Sequence, residues 1–131
     1  METKTQDIIK SKINTVFIHV TDLKRAVDWY ADTLGFSVDQ EEYKALNDLP
    51  VYTFQMGETS LSLDAHKFDD SFVFKPAPHP VCNIHCEDIY KAHEMLKDKK
   101  VEILSDVIDL GDLAFFNIKD MDGNVLMMCN G

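Results

Sequence analysis

The stretch Ile13–Phe36, INTVFIHVTDLKRAVDWYADTLGF, and its weaker copy Val81–Leu96, VCNIHCEDIYKAHEML, constrain the fold more than any other feature of the chain. In the first, the apolar run Val16–Val20 reads as a strand. Thr21 and Asp22 follow it with short oxygen side chains that can accept from the free N–H groups of a helix's first turn. Leu23, Ala26, Val27, Tyr30, Ala31 and Leu34 then recur at helical spacing, so one face of the helix is apolar. Gly35 ends it, because glycine takes the left-handed conformation needed there. The repeat is visible by offset. His19-Val20-Thr21-Asp22-Leu23 matches His85-Cys86-Glu87-Asp88-Ile89 at a shift of 66, and Leu61-Ser62-Leu63 matches Leu126-Met127-Met128 at a shift of 65. The chain therefore reads as a duplication.

Residues 1–12 read as an N-terminal arm with a helical turn around Ile8 and Ile9. Residues 13–129 form a single domain: module one (13–66), a connector (67–80) that holds three of the four prolines, and module two (81–129). Beyond the first strand and helix, module one offers Phe36–Tyr43 as a strand turning acidic at Asp39–Glu42, then Val51–Met56, a Gly57-Glu58 turn, and Ser60–His66. In that last strand Leu61, Leu63 and Ala65 share one face, and Ser60, Ser62, Asp64 and His66 the other. Module two offers a strand at Val81–Cys86, a helix capped by Asp88 and running to about Lys99, and strands at Val101–Ser105, Leu113–Ile118 and Asn124–Cys129. Asp122-Gly123 is a hairpin signal, since tight hairpin turns need residues tolerant of positive φ. Each half reads β-α-β-β-β. The expected fold class is α+β, a curved mixed sheet forming a cup with helices outside.

Composition narrows the function. A chain of 131 residues suits one domain, and 45% hydrophobic content suffices for a core. The net charge of −10, with lysines and arginines spread along the chain, excludes a basic face for nucleic acid or anionic membrane. No apolar run approaches the ~20 residues of a membrane span. The polar start METKTQDIIKSK is not a secretory signal, and three cysteines without one read as reduced thiols in the cytoplasm.

The pattern Val20-x-Asp22-Leu23-x-Arg25-Ala26-x-x-x-Tyr30-x-x-x-Leu34-Gly35-Phe36, with Asp120-Met121-Asp122-Gly123-Asn124-Val125-Leu126, resembles the vicinal oxygen chelate superfamily of glyoxalase I, bleomycin-resistance proteins, fosfomycin-resistance enzymes and extradiol dioxygenases. The likeness covers residues 13–129; Met121 stands where the family usually has proline. The resemblance implies a divalent metal at the cup floor, held by His or Gln on each module's first strand and Glu on each module's last. Carried over by motif spacing, the four positions hold Thr15, Ser62, Val81 and Met127. None is an imidazole, carboxylate or thiolate. The expectation is therefore no metal and no cofactor.

His19 and His85 occupy equivalent places in the repeat, on the same strand faces as Thr15 and Val81. Displaced along their strands from the implied metal, they should diverge and line the cup separately. Phe17 should face inward with them. Asp64 is a candidate cup carboxylate or a solvated strand end, and His66 reads as a solvent-exposed end. The candidate ligand-binding set is Thr15, Phe17, His19, Ser62, Asp64, Asn83, His85 and Met127; no catalytic residue is assigned. Cys82 and Cys86 read as small apolar residues under the helix, and Cys129 shares the face of Met127. The expected function is metal-free binding of an apolar or aromatic small molecule in the cup, as in bleomycin-resistance proteins. The alternatives are a glyoxalase- or dioxygenase-like metalloenzyme with displaced ligands, or a metal-independent enzyme using a cup histidine. By resemblance the chain is a homodimer, with the cup either within one chain or shared.

Overall fold

The computed structural model describes residues 4–131; Met1–Thr3 of the N-terminal arm lie outside the described residues. A one-turn helix, α1 (Thr5–Ile8), leads with no buried residue into β1 (Thr15–His19). Helix α2 (Leu23–Leu34) starts at Asp22, whose side chain accepts from the Arg25 N–H, and stops at Gly35, which sits at φ 76°. Its Leu23, Ala26, Val27 and Tyr30 are buried. Module two repeats the start: Asp88 accepts from the Lys91 N–H and opens α4 (Ile89–Asp98), which buries Ile89 and Leu96.

The strands form two hydrogen-bonded sheets, one per module. In module one, β2 (Val51–Met56) and β3 (Thr59–Asp64) make a hairpin, and β1 adds in parallel to β3, giving the order β1-β3-β2. In module two, β4 (Asn83–His85), β5 (Ile108–Asp109), β6 (Ala114–Lys119) and β7 (Val125–Cys129) take the order β4-β7-β6-β5, again with the first strand parallel to the last. This is the α+β class expected from the repeat, with similar sheets in the two halves. No helix among the described residues is long and apolar enough to cross a membrane.

Two expected strands differ. Phe36–Tyr43 does not pair; instead α3 (Gln40–Lys44) begins inside it, followed by a 3₁₀ turn at Leu46–Asp48. The acidic run that reads as a solvated edge is a helix start. The Asp39 side chain accepts from the Glu42 N–H at 3.0 Å, and Glu41 and Glu42 lie at the positive end of the helix. The Asp39 N–H donates to Tyr52 Oη and Tyr43 Oη donates to Asp28, which docks the turn against β2 and α2. Val101–Ser105 touches β6 only through the Ile103–Ile118 bridge, and regular pairing starts later, at Ile108.

The two modules are joined by a polar cluster within the core. Asp120 is 6% exposed and Asn124 1%. The Asp120 carboxylate accepts from Tyr30 Oη at 2.8 Å, from the backbone N–H groups of Asp122 and Asn124 at 2.9 Å each, and from Asn124 Nδ2 at 3.0 Å. Asn124 Nδ2 also donates to the His19 carbonyl at 2.8 Å. Burial first, then the neighbouring Asp120 charge, pushes the Tyr30 phenol far above its ordinary range, so it remains a donor. Outside this core, Thr21 donates from both N–H and hydroxyl to Asp122, and Arg25 reaches the Met121 carbonyl.

Tyr30→Phe removes one donor from a buried carboxylate and keeps the ring. It is expected to lower stability by about 1.5–3 kcal/mol in urea unfolding followed by far-ultraviolet circular dichroism. A loss under about 0.5 kcal/mol would mean that the bond contributes little to joining the modules.

Candidate functional site

On β1 the side chains of Thr15, Phe17 and His19 point away from the buried Ile18, as strand alternation requires. This puts them on the face of module one's sheet opposite the core. Phe17 is 51% exposed there. Ser62 lies on the same face of β3, opposite Phe17 and Thr53. Its hydroxyl is buried and meets Thr15 Oγ1 at 2.7 Å and Thr53 Oγ1 at 2.9 Å. The two module-one positions to which the resemblance carries a metal ligand are thus brought together, and their hydroxyls bond to each other.

In module two, Met127 pairs with Asn83 on β4 and Asn117 on β6. Val81 precedes β4; its N–H donates to the Val125 carbonyl and its side chain packs against the core. The four inherited positions therefore present two mutually bonded hydroxyls, a thioether and an isopropyl group. This donor set does not fit Zn²⁺, Fe²⁺, Mn²⁺ or Ni²⁺.

His19 and His85 take different partners. His85 stands at the end of β4 with Nε2 3.3 Å from the exposed Glu87 carboxylate. His19 does something the sequence does not foretell. Its Nδ1 lies 2.6 Å from His66 Nε2, and His66 Nε2 lies 3.6 Å from Asp64 Oδ2. His66 is not the exposed strand end that alternation suggests. Strand β3 stops at Asp64, and His66 takes a left-handed φ of 52° that turns its ring back over the sheet. Phe72, from the connector, stacks on it with ring centroids 3.5 Å apart and planes 8° from parallel. The His66 and Asp64 side chains are 18% and 20% exposed.

Sequence reading also misses Asn117. Its Oδ1 is buried and has no hydrogen-bond partner among the described residues, on the face of β6 turned away from the core and beside Met127. The Asp122-Gly123 turn was the available signal, since pairing outward from it sets Asn117 opposite Met127. A separate concavity of about 330 Å³ lies between β1 and β4, lined among others by Val16, Leu61, Cys82, Asn83, Ile84 and His85.

Comparison with known proteins places these features in context. The family described as the Glyoxalase/Bleomycin resistance protein/Dioxygenase superfamily matches residues 12–128. No curated protein matches the chain. Among solved structures, a member of that superfamily from Sphaerobacter thermophilus is similar at 21% identity and TM-score 0.72, covering 91% of this chain and 96% of the other. A protein assigned to the glyoxalase family from Bacillus anthracis is similar at 19% identity and TM-score 0.69, covering 98% of each chain. TioX from Micromonospora is similar at 15% identity and TM-score 0.65, covering 91% of this chain and 98% of the other. At these identities the structural likeness speaks for the fold.

All three cysteines are free thiols. Burial pushes the Cys82 thiol up to about 11 and raises Cys86 as well. A nucleophilic cysteine needs the opposite shift. Relative to the ordinary value of 9.0, a pKa of about 11 reduces the thiolate fraction of Cys82 at pH 8 by roughly a hundredfold. Labelling with a disulfide reagent at pH 8 is therefore expected to be slow in the native protein and fast in 6 M urea. A thiol titrating rapidly in the native state would reopen cysteine chemistry.

Proposed function

Given that the chain belongs to the glyoxalase/bleomycin resistance protein/dioxygenase superfamily, we propose that it is a small-molecule binding protein of the bleomycin-resistance type. It holds an apolar or aromatic ligand on the cup face and takes no metal at the superfamily's inherited ligand positions. The observation that carries this reading is the chemistry of those positions. Thr15 and Ser62 are bonded to each other at 2.7 Å, and Val81 and Met127 are apolar.

Around them stand groups suited to a small organic molecule. Phe17, Phe115 and Met127 supply apolar contact, and methionine adapts to varied shapes. Thr15, His19, Ser62, Asp64, Asn83 and His85 supply polar points along the same faces. The unpartnered Asn117 Oδ1 favours a ligand with an N–H or O–H donor, because a buried acceptor left unpaired costs about 1–3 kcal/mol. Apolar contact with a few placed polar groups is the usual composition of such sites.

Exposure of Phe17 supports a homodimer in which a second copy covers the cup faces. The free thiols support a reducing compartment such as the cytoplasm. The convergence of His19, Asp64 and His66 favours a second reading, a metalloenzyme with displaced ligands.

Titration with the uncharged fluorophore N-phenyl-1-naphthylamine tests the first reading. Saturable enhancement is expected, unchanged by EDTA. Met127→Asp is expected to weaken it about tenfold, the equivalent of losing one buried apolar contact of about 1.5 kcal/mol. Sedimentation is expected to give a dimer. Binding that vanishes with EDTA and returns with a divalent ion would favour the metalloenzyme.

A further inference from the structure

The parallel register of β1 and β3 sets His19 directly beside Asp64 on one face. Two residues later the chain turns at the left-handed His66, a conformation that non-glycine residues adopt at a cost. The turn is held from several sides. The His66 N–H donates to Asp64 Oδ1 at 2.8 Å, which leaves Oδ2 directed toward the His66 ring. The Asp69 N–H donates to the His66 carbonyl at 3.1 Å, and Phe72 backs the ring. The result is three ligating atoms within 4.8 Å of one another, the one such group of histidine, cysteine and carboxylate side chains found among the described residues.

Two imidazoles that face nitrogen to nitrogen leave room for a single positive centre between them. A metal ion can occupy it, with the carboxylate completing the charge balance. The distances suit the ion after a small adjustment. With Zn–N and Zn–O bonds of about 2.0–2.1 Å, tetrahedral ligand atoms stand about 3.3 Å apart. The Asp64–His66 separation of 3.6 Å is already close to that, the histidine nitrogens at 2.6 Å must part by about 0.7 Å, and the His19–Asp64 pair, within 4.8 Å, closes by up to about 1.5 Å. His19 is exposed and can rotate to do so. Three protein ligands leave a position open for water or for an oxygen of a bound molecule.

We propose that His19 Nδ1, His66 Nε2 and one Asp64 carboxylate oxygen form a binding site for a divalent first-row transition ion, with Zn²⁺ the best match to two imidazoles and a carboxylate. The site shares no residue with the four inherited metal positions. It lies at the far end of β1 from Thr15, built within module one alone. It goes beyond the small-molecule reading and stands whether or not a ligand occupies the cup.

The test uses the full, tag-free chain stripped with EDTA and desalted. Calorimetric titration with Zn²⁺ is expected to give one ion per chain. Co²⁺ is expected to give visible d–d bands without the near-ultraviolet charge transfer that thiolate ligands produce. His66→Ala, His19→Gln and Asp64→Asn are each expected to weaken Zn²⁺ binding at least about tenfold, and His85→Ala to leave it unchanged. Circular dichroism checks that each variant is folded; His19→Gln and Asp64→Asn keep the His66 turn residue, so the test does not rest on His66→Ala alone. The proposal is overturned by absence of a binding isotherm, by full affinity in folded His19→Gln, by equal loss in His85→Ala, or by a thiolate signature that moves the ion to the cysteines.

Discussion

The structure depends on one buried carboxylate. Asp120 lies at the hairpin end of module two and takes donors from module one's helix, from its own turn and from Asn124. A carboxylate in an apolar interior is costly unless its oxygens are matched by donors, and here each is. That requirement fixes more than the turn. Tyr30 must bring its hydroxyl to Asp120, so α2 cannot slide against the module-two hairpin. Asn124, oriented by the same carboxylate, holds the Ala77 N–H through its Oδ1 and the His19 carbonyl through its Nδ2. The connector and the end of β1 are therefore both tied to the Asp120 turn.

This tie matters for the sites. His19 lies at the point where β1 leaves its sheet, and a strand end is ordinarily free to fray. The Asn124 bond to its carbonyl and the Val20 N–H bond to the Asp64 carbonyl hold it in register. The ring can then meet His66 in a defined geometry. At the other end of the same strand face, Thr15, Ser62 and Thr53 form a chain of hydroxyls through Ser62. One face thus carries two different chemistries, a satisfied neutral floor and a cluster of titratable groups near the rim.

The misreadings follow from particular residues. Phe36–Tyr43 alternates well enough to suggest a strand, and Phe36 and Val38 do pack against the core. Yet Asp39 three residues before Glu42 is also a helix cap, and the Tyr52 hydroxyl waiting on β2 favours the cap by holding the Asp39 N–H. Local patterning reads as a strand, and the cap with its tertiary partner makes a helix instead. Val101–Ser105 lost its regular pairing in a similar way, since only Ile103 bridges to β6 before the chain moves off to re-pair at Ile108.

The sequence by itself determined the offset repeat, the caps at Asp22 and Asp88, the stop at Gly35 and the α+β class. These are local or periodic facts, and local chemistry enforces them. Only the tertiary structure decided which polar groups meet. His19 and His66 are 47 positions apart and come together through a parallel register plus a left-handed turn that no period encodes. The Asn117 acceptor meets across the ladder the thioether side chain of Met127, which carries no donor. Pairwise encounters of this kind depend on where distant strands lie, and the order of residues along one strand does not contain them.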